Sequence, residues 1–284
     1  MSKPRQSPAE IVEEHPDDEV LRDARIPHIW CPGCGLGTTI KAVGEAIKRT
    51  EGDLDDHAVV SGIGCTGRAA GYINTDSYHA THGRAIPFAT GINVANPDMN
   101  VTVVSGDGDL FNIGGNHFIH AARRNLDMTI VCSNNFNYGM TGGQFGGTTP
   151  TGAKTSTTPE GNYERPFNLP LLAASLDVPY VARWTTLHPR RLADAIEEAM
   201  AKPGLGFVEA ITPCPEGFGK PNEFPEGLDM MKYFQDHAVI DHDADLEEIG
   251  IALEGEDLVL GNFIDEESTP YLETKRRLLG GDEE

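Results

Sequence analysis

The chain has 284 residues, with 22 Lys and Arg against 44 Asp and Glu and a formal net charge of −22 at neutral pH. That length is near the upper size of a single hydrophobic core, and that charge disfavours nucleic acid as a partner. No apolar run reaches the ~20 residues of a membrane span, and residues 1–23 lack the apolar centre of a signal peptide, so a cytoplasmic protein with no membrane contact is expected.

Residues 1–25 are polar, charged and Pro-containing, and read as an arm that lies on a partner or is disordered. The main domain is expected over residues 26–220. It opens on Cys31-Pro32-Gly33-Cys34, two thiols on one tight loop. Residues 38–49 carry Ile40, Val43 and Ile47 on one face and predict an amphipathic helix that stops near Gly52. Residues 58–63 read as a strand delivering Cys65 at its carboxyl end, inside Gly62-Ile63-Gly64-Cys65-Thr66-Gly67. The next chemically dense stretch is His79-Ala80-Thr81-His82-Gly83-Arg84. The guanidinium fork of Arg84 suits a carboxylate, and the plainer alternative is a helix start capped by His82 and Arg84.

Residues 101–144 organise the chain. A β-branched run, Val101-Thr102-Val103-Val104-Ser105, predicts a buried strand. Gly106-Asp107-Gly108-Asp109 then allows a tight turn and close approach of backbone to a ligand. Residues 112–125 predict a helix whose N-terminus would be an anion site. A second strand over 127–133 leads into Asn134-Asn135-Phe136-Asn137-Tyr138-Gly139. Carboxylates at an anion site imply a divalent cation between them and a phosphate. Mg²⁺ favours such sharing, with Asp107 supplying a charged oxygen and Asn135 a neutral one.

Residues 138–151 are rich in Gly and Thr and read as a long loop over the site. A helix over 169–175, a strand over 178–182, a helix over 189–201 with Pro in its first turn, and a strand over 206–211 follow. The last strand delivers Cys214, in Thr212-Pro213-Cys214-Pro215. Repeated strand–helix units predict an α/β doubly wound parallel sheet, with ligands beyond the carboxyl ends of its strands. Beyond residue 220 the chain turns acidic and irregular, an expected extension in which residues 258–265 add a short edge strand. Cys31, Cys34, Cys65 and Cys214 all lie in Gly- or Pro-flanked loops and suit either a tetrahedral zinc ion or an iron–sulfur cluster. Cys132, in an apolar strand, reads as a small hydrophobe.

Gly106-Asp107-Gly108 followed by Asn134-Asn135 resembles the thiamine diphosphate motif. The resemblance implies Mg²⁺ held by Asp107, Asn135 and the backbone carbonyl of Asn137. Together with Trp30-Cys31-Pro32-Gly33-Cys34-Gly35, Ile63-Gly64-Cys65, His82-Gly83-Arg84 and Thr212-Pro213-Cys214-Pro215, in this order, these motifs resemble the β subunit of 2-oxoacid:ferredoxin oxidoreductases over residues 30–220.

That family implies the diphosphate-domain type of thiamine-binding fold. It implies a [4Fe–4S] cluster on Cys31, Cys34, Cys65 and Cys214, and a cofactor bordered by Ile63, Gly64, Cys65, Thr66, His82, Gly106, Gly108, Asp109, Gly139, Met140 and Thr141. His82 and Arg84 are the expected catalytic contacts, to cofactor and to a substrate carboxylate. The implied reaction joins a 2-oxoacid and coenzyme A, releases CO₂ and passes electrons singly to ferredoxin. An α subunit is implied to bring the pyrimidine-binding domain.

Asn137 to Gln144 and Arg183-Trp184-Thr185-Thr186 look most like members acting on 2-oxoglutarate, and Gly142 stands where some broad-specificity members carry lysine. Phe145-Gly146-Gly147 departs from the serine-proline common in relatives. The pyruvate enzyme and a non-catalytic zinc-binding subunit are the alternatives.

Acidic residues crowd into segments such as 16–19, 51–56 and 241–248. Self-repulsion of this size is tolerable where salt screens it, so a salt-adapted, halophilic protein is expected. The melting temperature should rise steeply with KCl; a flat curve would remove this expectation.

Overall fold

The computed structural model describes residues 15–251, 255 and 257–280. Eight strands form one sheet: β1 (His57–Ser61), β2 (Asp76–His79), β3 (Asn100–Gly106), β4 (Met128–Asn134), β5 (Tyr180–Thr185), β6 (Leu205–Ile211), β7 (Ala238–Ile240) and β8 (Leu258–Asp265). Their order is β2-β1-β3-β4-β6-β5-β8-β7. The strands from β2 to β5 in that order run parallel, β8 is antiparallel to β5, and β7 is parallel to β8.

The unbroken apolar runs of the central strands are explained by helices on both faces. Val59, Val104, Val131 and Val208 point to one side, where α1 (Leu36–Arg49) and α5 (Pro189–Ala201) supply Val43, Ile47, Leu192 and Ile196. Their neighbours Val60, Val103, Ile130 and Phe207 point to the other, against α2 (Ala85–Ala95), α3 (Gly115–Arg124) and α4 (Leu169–Ala174). Cys132 is fully buried in that second layer, as its strand position predicts.

The structure departs from the sequence expectations in four places. The helix expected over 112–125 is split: Gly108–Ile113 winds as a wide single turn capped by Asp107, and α3 starts only at Gly115. Residues 15–25 of the expected arm lie on their own domain, with Val20 in the core and Arg22 N–H donating to the Tyr72 carbonyl; residues 1–14 lie outside the described residues. The stretch expected to be irregular carries α6 (Asp229–His237), β7, β8 and α7 (Tyr271–Leu278). β8 has the expected bounds but lies between β5 and β7 instead of at the edge. α2 and β2 gave no periodic signal, because α2 is apolar nearly all round and β2 is exposed along its length. Among the described residues no helix is long and apolar enough to cross a membrane.

Leu260 of β8 is fully buried in the layer shared with α1 and α5. Leu260→Ala should lower the unfolding free energy by about 2–5 kcal/mol in a denaturant titration. An unchanged midpoint would show that β8 is not part of the cooperative unit.

Candidate active site

Parallel strands present all their carboxyl ends on one edge, so loops remote in sequence meet there. In register, Ser61 of β1 lies beside Val104 of β3, Gly106 beside Ser133 of β4, and Asn134 beside Ile211 of β6. The next residues of the four strands carry Cys65, Asp107, Asn135 and Cys214. One cavity of about 120 Å³ opens at this edge. It is lined by Ile63, Gly64, Cys65 and Thr66 after β1, by His82, by Gly106 to Asp109 after β3, and by Asn135, Asn137, Gly139, Met140 and Thr141 after β4. Tyr138, which sequence reasoning passed over, joins them.

Asp107 is 2% exposed, and burial pushes its carboxyl up to about 6 against hydrogen bonds from the Thr148 hydroxyl and the Gly108 and Asn135 backbone. A buried carboxylate answered only by hydrogen-bond donors fits a cation at this position. Asn135, Phe136 and Asn137 form the facing turn. The Asn137 side-chain amide donates to the Asn135 carbonyl at 2.8 Å, and its backbone N–H reaches Asn135 Oδ1 at 3.4 Å.

Phe136 sits at φ +66°, a left-handed conformation unfavourable for a bulky side chain. Its backbone is fixed from both sides: Asn134 Oδ1 accepts from its N–H at 3.1 Å, and the Thr149 hydroxyl donates to its carbonyl at 2.6 Å. Behind Asn134 lies a buried charge pair. Asn134 Nδ2 donates to Glu209 Oε1 at 2.7 Å, Arg183 Nε donates to Glu209 Oε2 at 2.7 Å, and another Arg183 nitrogen donates to the Ile249 carbonyl at 2.7 Å. Sequence reasoning missed this pair. Its signal was a single charge inside each of two otherwise apolar strands, Tyr180–Thr185 and Leu205–Ile211.

Asp109 works as a clamp. Its carboxylate accepts from Ile63 N–H at 3.1 Å, Gly83 N–H at 2.8 Å and the Ser105 hydroxyl at 2.9 Å, and it pairs with His82 Nδ1. It lines the cavity while tying two loops to β3. A carboxylate at Nδ1 favours the proton there, leaving Nε2 as the outward nitrogen of His82. Arg84 does not line the cavity. Its guanidinium meets His117 Nε2 at 2.9 Å on the exposed side of α3. Burial, then the charges of Arg84 and His120, push His117 down, which favours a neutral acceptor for Arg84.

The four loop thiols share a neighbourhood. Cys34, beside the first turn of α1, feels Cys214, Cys65 and Cys31; burial pushes it up to about 12 and Cys65 up to about 11. Burial also raises Cys214, against hydrogen bonds with the Gly217 and Phe218 backbone and with the Asn137 side chain. The Cys31 and Cys214 loops are joined by Gly35 N–H donating to the Pro213 carbonyl at 3.3 Å, and the Trp30 indole donates to the Cys65 carbonyl at 2.9 Å. Among the described residues no three His, Cys, Asp or Glu side chains stand in single-ion geometry. A cubane spreads its four thiolates over several irons and needs only a looser cluster of sulfurs. Thr186, 6% exposed, has a hydroxyl with no hydrogen-bond partner that lies against Gly35 and beside Pro213. A free donor next to Cys34 and Cys214 fits a sulfur-rich group.

Fold and edge together define a thiamine-binding α/β domain, and residues 62–210 match the family model described as thiamine pyrophosphate enzyme, C-terminal TPP binding domain. A 2-oxoglutarate synthase subunit KorB from Methanothermobacter marburgensis is 44% identical over 276 residues, covering 96% of this chain and 94% of that protein. The subunit of the same name from Archaeoglobus fulgidus is 52% identical over 197 residues, covering 69% and 73%. The solved 2-oxoglutarate:ferredoxin oxidoreductase from Magnetococcus marinus, with 2-oxoglutarate, coenzyme A and succinyl-CoA bound, superposes with a TM-score of 0.82 at 33% identity, covering 94% and 92%. The chain belongs to the β-subunit family of the 2-oxoacid:ferredoxin oxidoreductases.

Because folding raises the Asp107 pKa from its ordinary 3.8 to about 6, the folded chain binds that proton more tightly than the unfolded chain. Its contribution favours folding at low pH and is lost as pH rises from about 4 through 6, by on the order of 3 kcal/mol. Without metal or cofactor, Asp107→Asn should therefore melt higher than the parent at pH 7 to 8 and show a shallower decline as pH rises from about 4 to 6. Identical pH profiles would show that Asp107 ionises normally.

Proposed function

We propose that this chain is the β subunit of a 2-oxoglutarate:ferredoxin oxidoreductase, which turns 2-oxoglutarate and coenzyme A into succinyl-CoA and CO₂ with reduction of ferredoxin. The observation that carries this reading is the meeting of the Asp107 and Asn135 turns with the three loops that bear the four cysteines, in contact through Asn137 and Cys214. The named activity of its relatives supports the choice of acid.

Asp107, Asn135 and the carbonyl of Asn137 would hold Mg²⁺ against the cofactor diphosphate, and Gly106 and Gly108 would let the backbone approach it. Cys31, Cys34, Cys65 and Cys214 would hold a [4Fe–4S] cluster. When bound, thiamine supplies the electron sink for decarboxylation and the cluster supplies a one-electron outlet.

The chain's own residues bind, orient and exclude water. Asp109 holds His82 with Nε2 outward, where it would meet a diphosphate oxygen or the pyrimidine of the cofactor. The loop after β4 is braced across its neck, Tyr138 N–H donating to the Gln144 carbonyl at 3.0 Å and Gln144 Nε2 to the Thr141 carbonyl at 2.7 Å. That brace presents Met140 and Thr141 to the cavity and limits water entry. Arg84 is the candidate for a substrate carboxylate, which as an anion would displace the neutral ring of His117.

A cavity of about 120 Å³ is smaller than the roughly 300 Å³ of a complete ligand pocket. Beside it lies an uncovered apolar face: Tyr78 stacks on Phe88 at 3.6 Å, both about 40% exposed, with Ile113 at 52%. Such a patch marks a protein contact and supports an α subunit that completes the site with its pyrimidine-binding domain. The chain alone is then inactive, and it works as a salt-adapted cytoplasmic protein.

Anaerobic copurification with the neighbouring gene product, followed by CO₂ release and dye reduction, tests this. 2-Oxoglutarate should be the better substrate; a preference for pyruvate would move the assignment to the pyruvate enzyme. Cys65→Ser should abolish the brown visible absorbance and Cys132→Ser should keep it, whereas a colourless, zinc-loaded parent would favour the zinc-binding alternative.

A further inference from the structure

We infer that the side-chain amide of Asn137 couples the two centres, setting the reduction potential of the cluster held through Cys214 and shifting it when the diphosphate and metal site fills. This rests on the reading that both groups bind at this edge.

Asn137 is 3% exposed and touches both halves of the site. Its Nδ2 donates to the Asn135 carbonyl at 2.8 Å, while Cys214 Sγ approaches its Oδ1 at 3.9 Å as a thiol donor. Two residues without side chains press on this contact. A Cβ on Gly217 would stand 2.8 Å from Asn137 Oδ1 and 3.2 Å from Cys214 Sγ, and one on Gly139 would stand 3.2 and 3.3 Å from the same atoms. Any larger residue at either position would pry the amide and the sulfur apart.

That contact depends on the thiol proton. Once Cys214 binds iron it is a thiolate, which accepts hydrogen bonds and cannot donate one. Oδ1 then faces a negative sulfur. The amide satisfies the thiolate only by turning Nδ2 toward it, at the expense of its bond to the Asn135 carbonyl. One side chain therefore has two discrete arrangements, each favoured by a different centre.

Binding of Mg²⁺ acts on the same amide from the other side. Asn135 Oδ1, which now accepts the long 3.4 Å bond from Asn137 N–H, would be drawn to the metal, and the turn bearing the Asn135 carbonyl would adjust with it. An N–H donated to a cluster thiolate stabilises the reduced, more negative state and raises the potential. Filling one site must then change the other, and the effect is reciprocal. Asn137 is a positioning residue in this role, acting on the cluster through Cys214.

The test is an anaerobic redox titration of the copurified complex, followed by electron paramagnetic resonance, with and without Mg²⁺ and thiamine diphosphate. In the parent complex the midpoint potential should move when they are added. In Asn137→Leu, with iron and sulfide content at the parent level, the potential should fall and no longer respond. Should Asn137→Leu lose iron, Asn137→Ala, which removes the same amide with a smaller side chain and leaves no donor, is read in the same way. A variant that retains both the parent potential and the parent shift overturns the inference, as does a parent potential indifferent to Mg²⁺ and thiamine diphosphate. A parent complex without iron overturns instead the reading on which the inference rests.

Discussion

Glu209 is a carboxylate buried in the middle of a sheet, and the shape of the Asn135 to Asn137 turn depends on it. It is flanked by the guanidinium of Arg183 and the amide of Asn134, at 2.7 Å each. A charge taken fully out of water is tolerable only when paired and hydrogen-bonded, and removing one partner leaves the other uncompensated, at about 3–5 kcal/mol. The pair therefore cannot relax cheaply. Asn134 inherits its fixed position, and through Oδ1 it holds Phe136 in a conformation that residue would otherwise avoid. The residues on either side of Phe136 are Asn135 and Asn137, the proposed neutral oxygens of the metal site. An ion pair with no contact to the cavity thus determines the direction in which the cavity's donors point.

Burial works against charge on the site groups. Asp107, Cys34, Cys65 and Cys214 are all raised above their ordinary pKa values, and burial is the largest cause each time. Desolvation penalises the charged form of each, which favours a proton there unless a cation takes its place. Metal and cluster would relieve that penalty, coupling cofactor loading to stability. Asp109 has a different part: its four donors satisfy both oxygens within the chain, and it holds loops together.

The surface has a comparable division. A net charge of −22 keeps most of the chain in contact with water and salt. An apolar patch interrupts that surface near the cavity, where Tyr78, Phe88 and Ile113 are all 40% exposed or more. A partner seated there would bury that face and roof the cavity at once, so assembly and completion of the site would be one event.

The motifs that fix the chemistry were legible in the sequence because they are local. Gly106 to Asp109, Asn134-Asn135 and the four loop cysteines depend on backbone turns and donor types that neighbouring residues specify. The parallel sheet was legible because a buried strand must be apolar on both faces, and the bounds of β8 and α5 followed from period and Pro placement. α2 was not, since a helix apolar on nearly all sides has no period to read. Nor was the split of residues 112–125, where Asp109, tied to Ser105 and two loops, allows only a wide turn before α3 begins. Residue types and their local spacing named the groups able to bind a cation or a diphosphate. It was the tertiary fold that made Asp109 a clamp for two loops, turned Arg84 to His117, set Arg183 and Glu209 behind the Asn134 turn and brought the Asn137 side chain to Cys214. Hydrogen bonds and ion pairs between distant residues depend on strand order and register, and no local rule of spacing contains either.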